Sequence, residues 1–130
     1  MQNSIILIDT NILMRYLLRD NEEQFSAAYD LIENNECVVL TNILQEVLYV
    51  LNGPVYNIDR AELKDAIEKT FDSVTYVDQE IIREALNVYN EKPKLDFPDC
   101  MLVAYKRLFD SAVSTFDEKL IQKLKKEGQR

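Results

Sequence analysis

Short apolar runs alternate with amphipathic stretches along the whole of this chain. The runs at residues 5–8, 37–40, 74–77 and 112–114 have the length and content of buried strands. Apolar positions at helical spacing fill the intervals between them. Short strands separated by helices predict an α/β three-layer fold, with a central parallel sheet of about four to five strands flanked by helices.

Boundary residues indicate where the helices begin and end. Asn21 and Gln24 have capping-box spacing at the start of a helix over residues 21–35. Asp59 precedes a later helix, and Pro98 suits the first turn of another. The other helices are expected near residues 12–17, 42–52 and 78–90, and from residue 117 onward.

Length and composition fit one soluble domain over residues 1–130. The hydrophobic fraction is 47% and the charged fraction is 29%, as in globular proteins. No apolar run approaches ~20 residues, and the N-terminal run stops at Asp9 with no basic segment before it, so neither a membrane span nor a signal peptide is expected. Cys37 and Cys100 lie in apolar stretches and are expected to be reduced core residues of a cytoplasmic protein.

The residue types that are missing restrict the chemistry. The chain has no His, which excludes Ser-His-Asp catalysis, Cys-His catalysis and any histidine metal ligand. Two cysteines are too few for a Cys₄ zinc site. Any catalysis therefore depends on the carboxylates.

Acidic residues follow two of the predicted strands. Asp9 comes directly after the first strand, and Asp117 comes shortly after the fourth. Because the carboxyl ends of parallel strands meet at one edge of a sheet, both are expected at that edge, where sites form in open α/β sheets. Helix capping is an equal alternative for either residue alone, since a carboxylate also stabilises the start of a helix.

Three further acids are candidates. Glu46 lies in a helix that is apolar almost all round, and a buried glutamate is rare unless it is paired; the alternative is that it reaches solvent at one end. Asp96 and Asp99 stand three residues apart around Pro98, on one side of a first helical turn. Capping is expected to explain one of these two.

Carboxylates gathered in one cleft would repel one another at neutral pH, and a divalent cation is the simplest neutraliser. All-oxygen sites suit Mg²⁺ or Mn²⁺. Such an ion activates water and stabilises charge on a phosphate, so phosphodiester hydrolysis needs no histidine. Neutral oxygen and amide groups beside the acids come from Thr10, Asn11 and Thr115.

Four pieces of sequence occur in a specific order between Ile5 and about Lys125. They are Ile6-Leu7-Ile8-Asp9-Thr10-Asn11, then Glu46, then Leu95-Asp96-Phe97-Pro98-Asp99-Cys100, then Ser114-Thr115-Phe116-Asp117-Glu118-Lys119-Leu120. Each piece alone is weak, but together they resemble the PIN-domain family (PilT N-terminus), and especially its VapC-type ribonuclease toxins. One departure is that Pro98 stands where the family commonly has Ala, which a first helical turn tolerates.

The resemblance implies a Mg²⁺- or Mn²⁺-dependent endoribonuclease with a three-layer PIN-like fold, usually a homodimer. As a toxin it would be silenced by a small antitoxin protein whose tail enters the acidic cleft. The residues it assigns are Asp9, Glu46, Asp99 and Asp117 for catalysis and metal binding, Asp96 as a further metal ligand, and Thr10, Asn11 and Thr115 as supporting groups. A housekeeping RNA-processing nuclease of the same family would look alike. A non-catalytic PIN scaffold would be expected to have lost an acid, and none is missing.

Charge and aromatic content bear on the partners. The net charge of −8 is unfavourable for RNA binding, and Arg15 and Arg19, near Asp9, are the candidates for guiding an RNA backbone. The C-terminal basic residues are expected to form a solvated helix face; they are Lys119, Lys123, Lys125, Lys126 and Arg130. Aromatic residues in excess of one small core favour a dimer interface; they are Tyr29, Tyr49, Tyr56, Phe71 and Tyr76.

Two other acidic α/β classes fit less well. A phosphoryl-receiver domain requires an acidic pair after the first strand and a Lys after the last. An aspartate-nucleophile phosphatase requires Asp-x-Asp after the first strand. Asp9-Thr10-Asn11 supplies neither pattern.

Overall fold

A computed structural model describes residues 4–128 of the protein. The chain divides between Asp78 and Gln79 into two compact units. Strands alternate with helices in the first unit, and the described part of the second unit consists of helices and their connections. The expectation of a single domain over residues 1–130 stays a prediction.

The first unit is an α/β structure with a parallel sheet. Its elements in chain order are β1 (Ile5–Leu7), α1 (Thr10–Leu18), α2 (Glu22–Glu33), β2 (Glu36–Val39), α3 (Thr41–Asn52), α4 (Arg60–Lys69) and β3 (Thr75–Tyr76). The strands lie in the order β1-β2-β3 and all pair in parallel. Ile6 lies opposite Cys37, and Val38 lies opposite Thr75. The predicted class, a parallel sheet flanked by helices, is confirmed.

Two of the predicted helix caps form as expected. The Asn21 side chain accepts the backbone N–H of Gln24 at 3.0 Å at the start of α2. The Asp59 carboxylate accepts the N–H of Glu62 at 2.8 Å at the start of α4. Each such cap stabilises the protein by about 1 kcal/mol relative to alanine, and each fixes where its helix begins.

The second unit contains α5 (Gln79–Glu91), α6 (Phe97–Phe109) and α7 (Glu118–Gly128). Ile82, Leu86 and Val103 are fully buried, and Leu120 from α7 is 1% exposed. Burying an aliphatic side chain of this size contributes about 1.5–3 kcal/mol. This shared core positions the start of α7, and with it Asp117, relative to α6.

Arg107 on α6 joins all three helices of the second unit. Its guanidinium donates to Glu127 of α7 at 2.8 and 2.9 Å and to Glu91 of α5 at 2.8 Å. The Arg107 side chain is 9% exposed and that of Glu127 is 3% exposed. The hydrogen bonds to Glu127 and Glu91 raise the pKa of Arg107 above its ordinary value despite burial. The ion pairs therefore hold α7 against α5 and α6 with little screening by solvent.

The predicted fourth strand does not form, so the expectation of four to five strands is wrong. Residues 4–128 contain three strands, and residues 110–117 connect α6 to α7 without strand structure. Asp110 turns the chain out of α6 with φ 51°. The Thr115 hydroxyl accepts the N–H of Asp117 at 3.1 Å. A side chain therefore satisfies a backbone group that a strand would have offered to a neighbour.

The predicted burial of the first strand is also wrong. Ile5 is 58% exposed and Leu7 is 62% exposed, while Ile8, just past the strand, is 4% exposed. β1 stands at one end of the strand order, and successive side chains of a strand point to opposite faces of the sheet. Ile5 and Leu7 therefore point to the same face of the sheet, and both side chains are exposed there.

Both cysteines are buried core residues, as predicted. Cys37 and Cys100 are not joined in a disulfide, and burial raises the pKa of the Cys37 thiol. In the part of the chain that the structure describes, no helix combines the length and the apolar character needed to cross a membrane.

The aromatic residues proposed for a dimer interface divide into two groups. Tyr76 is 2% exposed, bonds the Thr70 hydroxyl at 2.7 Å and packs edge-on against Phe71, so it belongs to the core and its assignment to an interface is wrong. Tyr49 is 82% exposed and Tyr29 is 43% exposed. The homodimer stays a prediction that rests on the exposed group.

Candidate active site

In the first unit, Asp9 and Glu46 come together at the carboxyl edge of the sheet. Asp9 follows β1 and caps α1, where its Oδ1 accepts the N–H of Ile12 at 3.0 Å. Thr10 donates its hydroxyl to Glu46 Oε2 at 2.8 Å. A carboxylate has about four acceptor positions, so capping leaves Asp9 able to bind a further partner.

Glu46 is exposed, so the prediction that it is buried is wrong. The buried positions of α3 are Leu44, Val47, Leu48 and Leu51. Tyr49, one turn after Glu46, is 82% exposed. An apolar composition did not reveal that one side of α3 faces solvent. Glu46 is nevertheless held in place, because it accepts the Thr10 hydroxyl.

In the second unit, Asp96, Asp99 and Asp117 form an acidic cluster. Asp96 caps α6, and its Oδ1 accepts the N–H of Asp99 at 3.2 Å. Asp117 Oδ1 accepts the N–H groups of Lys119 at 2.9 Å and Leu120 at 3.2 Å, in the first turn of α7. As predicted, capping explains one member of the Asp96–Asp99 pair.

Asp99 is the member of this cluster that ionises least readily. Partial burial, the negative charge of Asp96, a side-chain hydrogen bond with Asp96 and the charge of Asp117 together raise the pKa of Asp99 from 3.8 to about 6. The carboxylates are therefore close enough to repel one another. A divalent cation would favour the ionised form and relieve this repulsion.

The two arginines proposed to guide RNA already have partners within the first unit. Arg15 Nη1 donates to Asp20 at 2.8 Å, and its Nε donates to Asn11 Oδ1 at 3.3 Å. The guanidinium of Arg19 lies 4.5 Å from the centre of the Phe25 ring. Their proposed contact with RNA stays a prediction. Of the predicted C-terminal basic face, Arg130 lies outside the described residues.

The donor chemistry of the assigned acids suits Mg²⁺ or Mn²⁺, since carboxylate and hydroxyl oxygens are the ligands these ions prefer. Across residues 4–128, no group of three or more Asp, Glu or Cys side chains is arranged so that it could hold a metal ion. The acids assigned by the resemblance belong to both units, Asp9 and Glu46 to the first and Asp99 and Asp117 to the second. Their gathering in one cleft stays a prediction.

Three further residues of the second unit were not predicted as functional. Phe116 is fully exposed, and Lys106 and Lys125 line a groove together with Thr115. In the sequence, Phe116 is distinguished only as a position within the motif that contains Asp117, and Lys125 only as one of several C-terminal lysines. No sequence signal places Lys106 near them, because the groove depends on how α7 packs against α6.

Comparison with known families identifies the class of protein. A family model of the PIN domain matches residues 6–126, a range that includes every candidate acid. The chain belongs to the PIN-domain family. PIN domains are generally nucleases, and PIN nucleases typically use divalent metals. A search of curated proteins finds no match.

Proposed function

We propose that this protein is a divalent-metal-dependent endoribonuclease that hydrolyses RNA phosphodiester bonds as the cytoplasmic toxin of a VapBC-type toxin–antitoxin pair. The crowding of Asp96, Asp99 and Asp117 carries the proposal. Carboxylates that raise the pKa of a neighbour favour cation binding, and the chain belongs to a family of nucleases.

The acids and their neighbours have separate roles in this proposal. Asp99, Asp117 and Asp96 of the second unit, and Asp9 and Glu46 of the first, are the proposed ligands of Mg²⁺ or Mn²⁺. No three of them are arranged to hold an ion among the described residues, so binding would require these side chains to rearrange. The ion supplies an activated water and neutralises charge on the phosphate. Thr10 orients the Glu46 carboxylate through its hydroxyl, at 2.8 Å. Thr115 fixes the backbone before Asp117 by accepting its N–H at 3.1 Å.

The test is cleavage of structured RNA by the full chain in Mn²⁺, in Mg²⁺ and in EDTA. Cleavage should require the metal, and Asp99→Asn should lower the rate by about a thousandfold or more, because it removes an anionic ligand. Asp110→Asn is the matched control, since Asp110 is exposed with φ 51° and Asn tolerates that conformation. An Asp99→Asn protein that cuts RNA at the wild-type rate would refute the assignment.

Metal binding provides a second readout that does not depend on turnover. Mn²⁺ at a hundred times its Kd should stabilise the wild type by about 2.7 kcal/mol through mass action. Asp9→Asn and Asp99→Asn should each be stabilised less, and Asp110→Asn as much as the wild type. Absence of both cleavage and stabilisation by Mn²⁺ would instead identify a non-catalytic PIN scaffold.

The toxin role and the partners need cell-based and solution tests. Induced expression should arrest growth, the Asp99→Asn variant should not, and the product of a small upstream reading frame should restore growth. RNA cleavage without growth arrest would identify a housekeeping processing nuclease. The proposed homodimer predicts twice the chain mass by light scattering at tens of micromolar, and a monomer mass there would exclude it.

A further inference from the structure

A groove adjoins the acidic cluster of the second unit. It has a volume of about 340 Å³, within the range of small-molecule sites, roughly 300–1,000 Å³. Its lining comes from α6, the 110–117 segment and α7, and consists of Lys106, Val113, Thr115, Ile121, Leu124 and Lys125. Because Thr115 also accepts the Asp117 N–H at 3.1 Å, the groove is directly connected to one of the proposed metal ligands.

Phe116 lies in the chain between Thr115, which lines the groove, and Asp117. Its exposure is 102%, the highest among the large hydrophobic residues that the structure describes. The Thr115–Asp117 hydrogen bond fixes the backbone on both sides of the ring, and Asp117 is in turn tied to the first turn of α7. The ring is therefore presented to solvent from an ordered turn beside a reactive carboxylate.

The groove carries positive charge in a chain whose net charge is −8. No ion pair within 4 Å involves Lys106 or Lys125 among the described residues. Two lysines on the lining of one groove, neither of them neutralised by an ion pair within the described part of the chain, favour an anionic ligand.

We propose that Phe116 and this groove bind one nucleotide of single-stranded RNA next to the phosphate that is cut. The base stacks on the Phe116 ring, and the phosphate of that nucleotide lies at the ammonium groups of Lys106 and Lys125. The ribose packs against Val113. The proposal rests on the proposed nuclease function only in placing the cut bond near Asp117.

Single-stranded RNA fits this surface better than the alternatives. Stacking on an aromatic side chain requires an unstacked base, which loops and ends provide and a duplex does not. An acidic peptide would satisfy the two lysines, but it offers no flat π-face to Phe116. The combination of a ring, an apolar wall and two cations matches the repeating unit of a nucleic acid strand.

The test uses a short single-stranded RNA that carries one 2-aminopurine, bound to full-chain Asp99→Asn protein so that the RNA stays intact. Binding should quench the fluorescence, because the base stacks on the ring. In this background Phe116→Ala should weaken binding about tenfold and abolish the quenching, whereas Phe116→Trp should retain both. Phe109→Ala is the matched control, since Phe109 is a 57% exposed aromatic residue whose chain neighbours neither line the groove nor belong to the acidic cluster.

The lysines are tested by the salt dependence of the same binding. Each phosphate contact contributes about 0.7 to the slope of log K against log salt for single strands. Replacing Lys106 and Lys125 by Gln should therefore make the slope shallower by about 0.7 for the one proposed phosphate. Thermal melts should leave Phe116→Ala unchanged, because its side chain makes no buried contact.

The outcomes separate this inference from the nuclease proposal. If the wild type cuts RNA and Phe116→Ala changes neither the KM for cleavage nor oligonucleotide binding, the nucleotide site is wrong and the nuclease stands. If no metal supports cleavage but binding still depends on Phe116 and the lysines, the nuclease is wrong and the nucleotide site stands. Displacement of the RNA by poly-glutamate, with binding indifferent to Phe116, would identify the groove as a site for acidic peptides and overturn the inference.

Discussion

The raised pKa of Asp99 makes the stability of the metal-free protein depend on pH. Burial and the neighbouring Asp96 and Asp117 raise this pKa from 3.8 to about 6. Between these values the folded protein binds more protons at Asp99 than the unfolded chain does. The contribution of Asp99 to the free energy of unfolding should therefore fall as the pH rises from about 4 to about 6, and stay low above that.

The size of this effect follows from the shift. A change of about two pKa units corresponds to about 3 kcal/mol before screening, and exposure of the half-buried carboxyl to solvent reduces this to about 1–2 kcal/mol. Asp99→Asn removes the ionisable group and keeps its size. The variant should thus be about 1–2 kcal/mol more stable than the wild type at pH 7.5, or about 4–8 °C in Tm for a domain of this length, and nearly equal to it at pH 4.

Thermal and urea unfolding in EDTA from pH 4 to pH 7.5 measures this difference directly. Asp110→Asn removes one exposed charge outside the cluster and should follow the wild-type profile. Saturating Mn²⁺ should restore the stability that the metal-free wild type has lost by about pH 6, because the cation takes the place of the proton. Parallel stability profiles for the wild type and Asp99→Asn over this pH range would refute the reasoning.

Two further predictions concern the packing that supports the site. Arg107→Met should destabilise the protein by about 3 kcal/mol, because it leaves the 3% exposed Glu127 without the guanidinium. As a control, Lys69→Met in the exposed Asp65–Lys69 pair should destabilise it by less than about 0.5 kcal/mol. Equal losses of stability for the two variants in urea unfolding would contradict this prediction. Thr70→Val removes the buried hydroxyl that bonds Tyr76 at 2.7 Å and should cost about 1–2 kcal/mol. Thr75→Val on the exposed side of β3 should be nearly neutral, and a Thr70→Val melt identical to wild type would count against the role of this hydrogen bond.

Local interactions in this fold and the parallel class of its sheet were predictable from the sequence, whereas the number of strands that find a partner was not. The caps at Asn21 and Asp59 involve residues three positions apart, so the sequence spacing contains the whole interaction. A strand exists only if another segment pairs with it, and the apolar content of residues 112–114 could not show whether a partner was there. In the structure these residues pair with no strand, and just after them the Thr115 hydroxyl accepts the N–H of Asp117.

The candidate site shows the same division. The order of Asp9, Asp99 and Asp117 identified the family from motifs alone, and the family match includes all three. The exposure of Glu46 was mispredicted because composition does not reveal which side of a helix is covered. The residues paired with Arg107 lie up to 20 positions away along the chain, and the groove is lined by separate segments. Neither feature can therefore be recognised from the spacing of residues in the sequence.

Helix capping does not exclude the proposed ligand role of these acids. Asp9, Asp96 and Asp117 each accept backbone N–H groups through one oxygen at the start of a helix. Those bonds fix the direction of each carboxylate while its other oxygen can bind a ligand. Asp99 accepts no such capping bond in the described structure, gives its own N–H to Asp96, and has a pKa raised to about 6. In the proposed metal site of the second unit, the capped Asp96 and Asp117 would supply a fixed frame and Asp99 would supply the proton that a cation displaces. Metal binding there should therefore be linked to pH through this one residue.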